Sequence, residues 1–246
     1  MLPRLAALRP LSTAAMSAKK NLISFHYDVV SPWSLIAFEV LLRLRPAWDC
    51  DLDLRPMNQN YIMKFSQNKP PMFVPNKGAY MSLELRRAAS LFGVEGLSMP
   101  SGFPVDTTGA QLVLRALKDA SDSEALAQAT RAFMSAVWKE DRPVKTAADI
   151  KAVLVDSKIR LPAPASTDLD AFIARALEKD SFARLKEETR ILVEEEGAFG
   201  VPWIIVTRAS DGRTEKWFGS DRFEQIAAFL GQPYKGVFGD SRIPRL

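Results

Sequence analysis

The chain has 246 residues, 47% hydrophobic and 25% charged, enough for one large domain or a domain carrying a sizeable insertion. A single cysteine, Cys50, excludes an internal disulfide and any C-x-x-C centre, and a single histidine, His26, excludes multi-histidine metal sites and argues against a Ser-His-Asp triad. No apolar run approaches the roughly 20 residues of a membrane span.

Residues 1–20 hold Arg4, Arg9, Lys19 and Lys20 and no acid, and Leu2, Leu5 and Leu8 form one stripe on a helix. This is the composition of a mitochondrial presequence, which predicts a matrix protein; the alternative is a disordered extension, with Met16 as a second start. Those four basic residues account for the whole net charge of +4, so the basic pI gives no support to a nucleic-acid partner. The last residues of the 236–246 tail, Pro244-Arg245-Leu246, are a weak match to a peroxisomal signal, so peroxisome and cytoplasm stand as alternative destinations.

Strand-forming residues run from Leu22 to Asp28, and apolar residues at helical spacing follow from Leu35. Between them, Ser31-Pro32 reads as an N-cap followed by the first helical position, where proline's missing N–H costs nothing. A strand thus delivers a hydroxyl to the positive end of a helix over 32–44, a place prepared for an anion. The alternative is an ordinary capped helix. Cys50 to Pro56 alternates as a second strand, giving a βαβ unit with parallel strands. Cys50 itself reads as a small buried hydrophobe.

Residues 57–80 are crowded with Asn, Gln, Ser and Pro and are expected to form a long ordered loop suited to a polar, peptide-like ligand. From 80 to 197 the pattern is helical. Met81, Leu85, Ala88 and Phe92 form one stripe, and Leu126, Ala129, Phe133 and Val137 another. Ile150, Val153 and Leu154 follow, then a bend at Pro162-Ala163-Pro164, then Leu169, Phe172, Ile173 and Ala176. Ser181 is the expected cap of a last helix ending at Gly197. Two strands, 203–207 and 214–218, flank Ser210-Asp211-Gly212, a hairpin turn, and a final helix is expected to open at Gly219-Ser220-Asp221-Arg222, with Ser220 or Asp221 as cap. The order implies an α/β fold: a thioredoxin-like domain (21–79 and 198–235) interrupted by an all-helical insertion (80–197).

Four stretches resemble the motifs of kappa-class glutathione transferases, in the family's order. They are Phe25-His26-Tyr27-Asp28-Val29-Val30-Ser31-Pro32-Trp33-Ser34, Asn68-Lys69-Pro70-Pro71, Gly197-Ala198-Phe199-Gly200-Val201-Pro202 and Phe218-Gly219-Ser220-Asp221-Arg222. The related 2-hydroxychromene-2-carboxylate isomerases share most of them. The resemblance covers about residues 22 to 235. It implies a glutathione site, with glutathione as co-substrate, no permanently bound cofactor and no metal. It also implies a homodimer and a hydrophobic electrophile as second substrate.

On that resemblance Ser31 is the catalytic hydroxyl, donating to the glutathione sulfur, with Pro32 and Trp33 beside it. A thiol of pKa about 8.5 is a poor nucleophile at neutral pH, and lowering it by about two units needs roughly 2.7 kcal/mol. A hydrogen bond to a charged group supplies about 1.5–3 kcal/mol, and a helix N-terminus about 0.3–1 kcal/mol more. Val201-Pro202 stands where thioredoxin-like folds carry a cis proline, which would turn the Val201 N–H and C=O towards the ligand's cysteinyl backbone; the alternative is a trans proline at a strand start. Ser220 and Asp221 are assigned to the γ-glutamyl end, with Arg222 beside them, and Asn68 to the glycyl end, with Lys69 as helper. Trp33 stands where the family more commonly has tyrosine, and Trp203 is bulkier than usual. The implied reaction is conjugation of thiolate to an electrophile, with peroxidase activity towards organic hydroperoxides. The isomerase reaction and a non-catalytic thioredoxin-like binding module are the alternatives.

Overall fold

A computed structural model describes residues 19–163 and 165–237. The readings of residues 1–18, of Pro164 and of the last nine residues fall outside that span. Lys20, at the edge of the leading segment, pairs with Asp49 at 3.0 Å.

Strand β1 (Asn21–Tyr27) is followed by helix α1 (Pro32–Leu44) and strand β2 (Cys50–Pro56), and β1 and β2 pair in parallel from Asn21↔Cys50 to Tyr27↔Pro56. Strands β3 (Trp203–Thr207) and β4 (Thr214–Phe218) return at the end of the chain and are antiparallel to their neighbours, giving the sheet order β2-β1-β3-β4. The inner part of β1 is buried on both sides, as its continuous run of strand-formers requires. Gly212, at φ 71°, closes the β3–β4 hairpin where a side chain would be strained.

The stretch 57–80 departs from the loop expected for it. It contains α2 (Gln59–Ser66), a 3₁₀ turn at Pro71–Phe73 and the start of α3 (Pro75–Leu91). Asn58 caps α2 by accepting the Tyr61 N–H at 3.1 Å, and Pro75 occupies a first helical position. The residues that look like loop punctuation are helix-start residues here, and only one residue of α2, Ile62, is fully buried, so the apolar stripe is weak.

Among the described residues, five more helices lie before β3. They are α4 (Thr108–Asp119), α5 (Ser123–Trp138), α6 (Ala147–Asp156), α7 (Leu169–Ala176) and α8 (Lys179–Glu196). The stripes through Phe133, Ile150 and Phe172 are buried as expected, and Gly197 ends α8 in the left-handed conformation. Ser181 is not the cap of α8. The helix begins two residues earlier, and the Ser181 hydroxyl donates to the Arg175 carbonyl. One hydrophobic cluster runs from Phe25, Phe38 and Ile204 at the sheet through Phe133 and Trp138 to Phe172 among the helices. Helix α9 (Phe223–Leu230) packs Phe223 against Phe92, ring edge to face at 6.1 Å.

Candidate active site

Ser31 caps α1 as its sequence predicts: its hydroxyl oxygen accepts the Ser34 N–H at 3.2 Å. The same hydroxyl donates to the Val201 carbonyl, also at 3.2 Å, and Ser31 is 3% exposed. In the first turn Pro32 has no N–H, and the amides of Ser34 and Leu35 are bound to Ser31. The Trp33 amide is then the remaining donor, without a partner among the described residues. Trp33 itself is half-buried against the core.

The Val201–Pro202 bond is cis. The sequence expectation had both Val201 backbone groups facing a ligand; here the carbonyl is taken up by Ser31, and only the amide has no partner among the described residues. Segment 199–202 joins the other site stretches. Asn68 Nδ2 donates to the Phe199 carbonyl at 2.8 Å, while Asn68 Oδ1 accepts the Lys69 N–H at 2.8 Å. The Gly219 N–H donates to the Pro202 carbonyl at 3.1 Å. Three carbonyls, those of Phe199, Val201 and Pro202, thus anchor the Asn68, Ser31 and Gly219 turns to one strip of backbone.

Beyond Gly219, whose φ of 101° favours glycine, Ser220 is buried and Asp221 exposed. Neither caps α9. The helix starts at Phe223 with Arg222 in the cap position and no side-chain bond, and Asp221 Oδ2 instead accepts from Arg222 Nη1 at 2.7 Å. The residues proposed for the γ-glutamyl end are therefore not used up by capping. Lys69 is exposed on the loop after α2. Ser31 bonds directly to Val201 and Asn68 to Phe199, two residues earlier on the same strip, whereas the Lys69 and Arg222 side chains make no bond to that strip among the described residues.

Two features had weak sequence signals. Phe199 and Phe218 are 42% and 40% exposed, yet their rings lie 4.6 Å apart and both contact the Trp203 ring. A Cβ on Gly200 would meet the Phe218 ring at 2.9 Å, so the glycine permits this contact. A glycine between an aromatic and a proline was the available sign. His26 lies across the sheet from Trp203 and its Nδ1–H donates to the Trp203 carbonyl at 3.2 Å. Burial, helped by the positive charge of Arg55, lowers its pKa to about 4, so it is neutral at physiological pH. Burial likewise pushes the Cys50 thiol up to about 11, which removes it as a nucleophile. Among the described residues no cluster of His, Cys, Asp or Glu could hold a metal ion. A cleft of about 300 Å³ between α5 and α6 lies elsewhere, and its Arg131 and Arg142 are already paired with Glu39 and Asp156.

Residues 22–231 match the family model of the DSBA-like thioredoxin domain. Human glutathione S-transferase kappa 1 is 33% identical over 222 residues, covering 87% of this chain and 92% of the human one. The rat protein of the same name is 32% identical over 226 residues, covering 90% of this chain and 96% of its own. Among solved structures, a 2-hydroxychromene-2-carboxylate isomerase superposes with a TM-score of 0.67 over 85% of this chain and 94% of that one, at 18% identity, a likeness of fold. These similarities show that the chain belongs to the kappa-class glutathione S-transferases, within the DSBA-like thioredoxin family.

Proposed function

We propose that this protein is a glutathione S-transferase that uses the Ser31 hydroxyl to hold the glutathione sulfur as thiolate. The observation that carries the reading is the Ser31 hydroxyl itself, seated at the N-terminus of α1 and facing the Val201 carbonyl. Its bond to that carbonyl is a neutral one, worth about 0.5–1.5 kcal/mol net, whereas a bond to a charged sulfur is worth about 1.5–3 kcal/mol. The proton therefore turns from the carbonyl to the sulfur when a thiolate arrives. The Trp33 amide and the helix dipole add to the same preference. No protein thiol or imidazole is needed, consistent with an inert Cys50 and a neutral His26.

In this reading the Val201 amide pairs with the cysteinyl backbone, Asn68 holds the glycyl end, and Ser220 and Asp221 hold the γ-glutamyl end. Lys69 and Arg222 assist at the rim. The thiolate attacks a hydrophobic electrophile, forming a carbon–sulfur bond as the leaving group departs. The exposed Phe199–Phe218 pair supports an apolar second substrate. Peroxidase activity starts from the same thiolate: one glutathione attacks the hydroperoxide oxygen, a second completes the disulfide, and alcohol and water leave. A homodimer and import into the mitochondrial matrix belong to this proposal, the latter supported by the basic, acid-free leading segment.

Purified protein is to be incubated with glutathione and chlorodinitrobenzene, and separately with a hydroxychromene carboxylate. Conjugate formed only in the presence of both protein and glutathione is the expected result. Isomer without net conjugate points instead to the isomerase. Calorimetry showing no glutathione binding up to millimolar concentration removes the reading altogether.

A further inference from the structure

Asp28 is 2% exposed, and each hydrogen bond to its carboxylate comes from the beginning of a different helix. Oδ1 accepts the Val30 N–H at 3.1 Å, in the turn that leads into α1, and the Thr107 hydroxyl at 2.6 Å, at the start of α4. Oδ2 accepts the Gln59 N–H at 2.8 Å, the first residue of α2. The Asp28 carbonyl accepts the Ser31 N–H at 3.0 Å, and the neighbouring Val29 carbonyl accepts the Trp138 indole N–H at 2.8 Å.

Every one of these partners donates, which suits a carboxylate and leaves it satisfied although buried. Thr107 occupies the cap position of α4 but makes no cap bond, because its hydroxyl points to Asp28 instead. Giving up a cap is unfavourable for an isolated helix, so the contact with Asp28 takes precedence over local helix stability. The helices gathered here are not arbitrary. α1 begins at Ser31, and α2 leads through Gln67 to Asn68. The sulfur position and the glycyl end of the proposed glutathione site are therefore set, relative to one another, by a single buried carboxylate braced from α4.

We infer that Asp28, held by Thr107, is a positioning residue for the transferase reaction, fixing Ser31 and Asn68 at the spacing between the sulfur and the glycyl end of one glutathione. This inference rests on the glutathione reading. It assigns to the helical part of the chain a direct influence on the site through Thr107, a residue that touches no substrate. Misplacing a catalytic group by a fraction of an ångström lowers rate without abolishing the fold.

The test is made on the full chain with glutathione and chlorodinitrobenzene. Thr107→Val keeps the volume and removes the donor, Thr107→Ala removes it with no steric demand, and Thr107→Ser restores it. Folding of each is checked by near-ultraviolet circular dichroism. Both non-donating variants are expected to lose about tenfold in kcat/KM for glutathione, one charged hydrogen bond's worth. The ultraviolet absorbance of bound thiolate should titrate at higher pH in both, while Thr107→Ser stays near the wild type. A merely structural role lowers the melting temperature but moves neither the kinetic ratio nor the thiolate titration, and that outcome in either folded variant overturns the inference. A wild type that forms no conjugate removes the transferase reading and this inference with it; an active wild type with unaltered variants removes the inference alone.

Discussion

The hydroxyl of Ser31 and the carbonyl of Val201, separated by 170 residues in sequence, are joined by a 3.2 Å hydrogen bond. This bond connects the cap of the first helix to the residue before the cis proline, the two places that the proposal gives to the thiol of glutathione. It also gives the hydroxyl a resting partner weaker than the one proposed in turnover, so binding exchanges a neutral hydrogen bond for a charged one.

Ser31→Ala should lower kcat much more than it changes KM for glutathione, because the hydroxyl acts on the charge of the sulfur. The loss of about 1.5–3 kcal/mol corresponds to about a 10- to 100-fold fall in kcat, with the pKa of bound thiol raised by about one to two units. The lost cap on Ser34 should cost about 1 kcal/mol of stability. Steady-state kinetics and thermal unfolding measure the two effects. Equal turnover in the variant takes Ser31 out of the mechanism.

Asp221→Ala should act on binding. The carboxylate is exposed and, among the described residues, paired only with its neighbour Arg222, so its removal disturbs little of the fold. If it holds the γ-glutamyl ammonium, the dissociation constant for glutathione rises about tenfold. S-methylglutathione should weaken equally, since the interaction does not involve sulfur. Calorimetry with both ligands decides, and unchanged affinity contradicts the γ-glutamyl assignment.

His26 offers a pH test independent of any ligand. Its folded pKa is depressed from 6.5 to about 4, with burial as the main cause. A depressed base resists protonation in the folded state but not in the unfolded one. Its contribution to stability is thus complete above pH 6.5 and is lost as pH falls towards 4. A shift of this size is worth about 3 kcal/mol. His26→Gln should flatten the stability profile across that window. The chain has one histidine, so its imidazole resonance can be followed without assignment, and a midpoint near 6.5 in the folded protein would falsify the burial argument.

Local pattern carried a good deal. The Ser31 cap, the proline in the first turn of α1, the hairpin at Gly212 and the stop at Gly197 all depend on neighbours within a few residues. Such features are legible because backbone preference and apolar spacing act at that range. At 57–80 local preference points two ways, because proline and asparagine punctuate loops and also begin helices, and at Ser181 the hydroxyl bonds the Arg175 carbonyl in place of an α8 amide.

Tertiary structure decided what the polar groups do. Nothing near Ser31 in sequence says that its proton rests on Val201, and nothing near Asp28 says that Thr107 abandons its own helix to reach it. Ser220 and Asp221 read as a cap, yet α9 begins at Phe223, so Ser220 is buried without capping it and Asp221 is exposed beside Arg222. A hydroxyl or carboxylate has several partners of nearly equal worth, differing by about 1 kcal/mol. Only the distant segments that folding brings within 3 Å or so determine which one is taken.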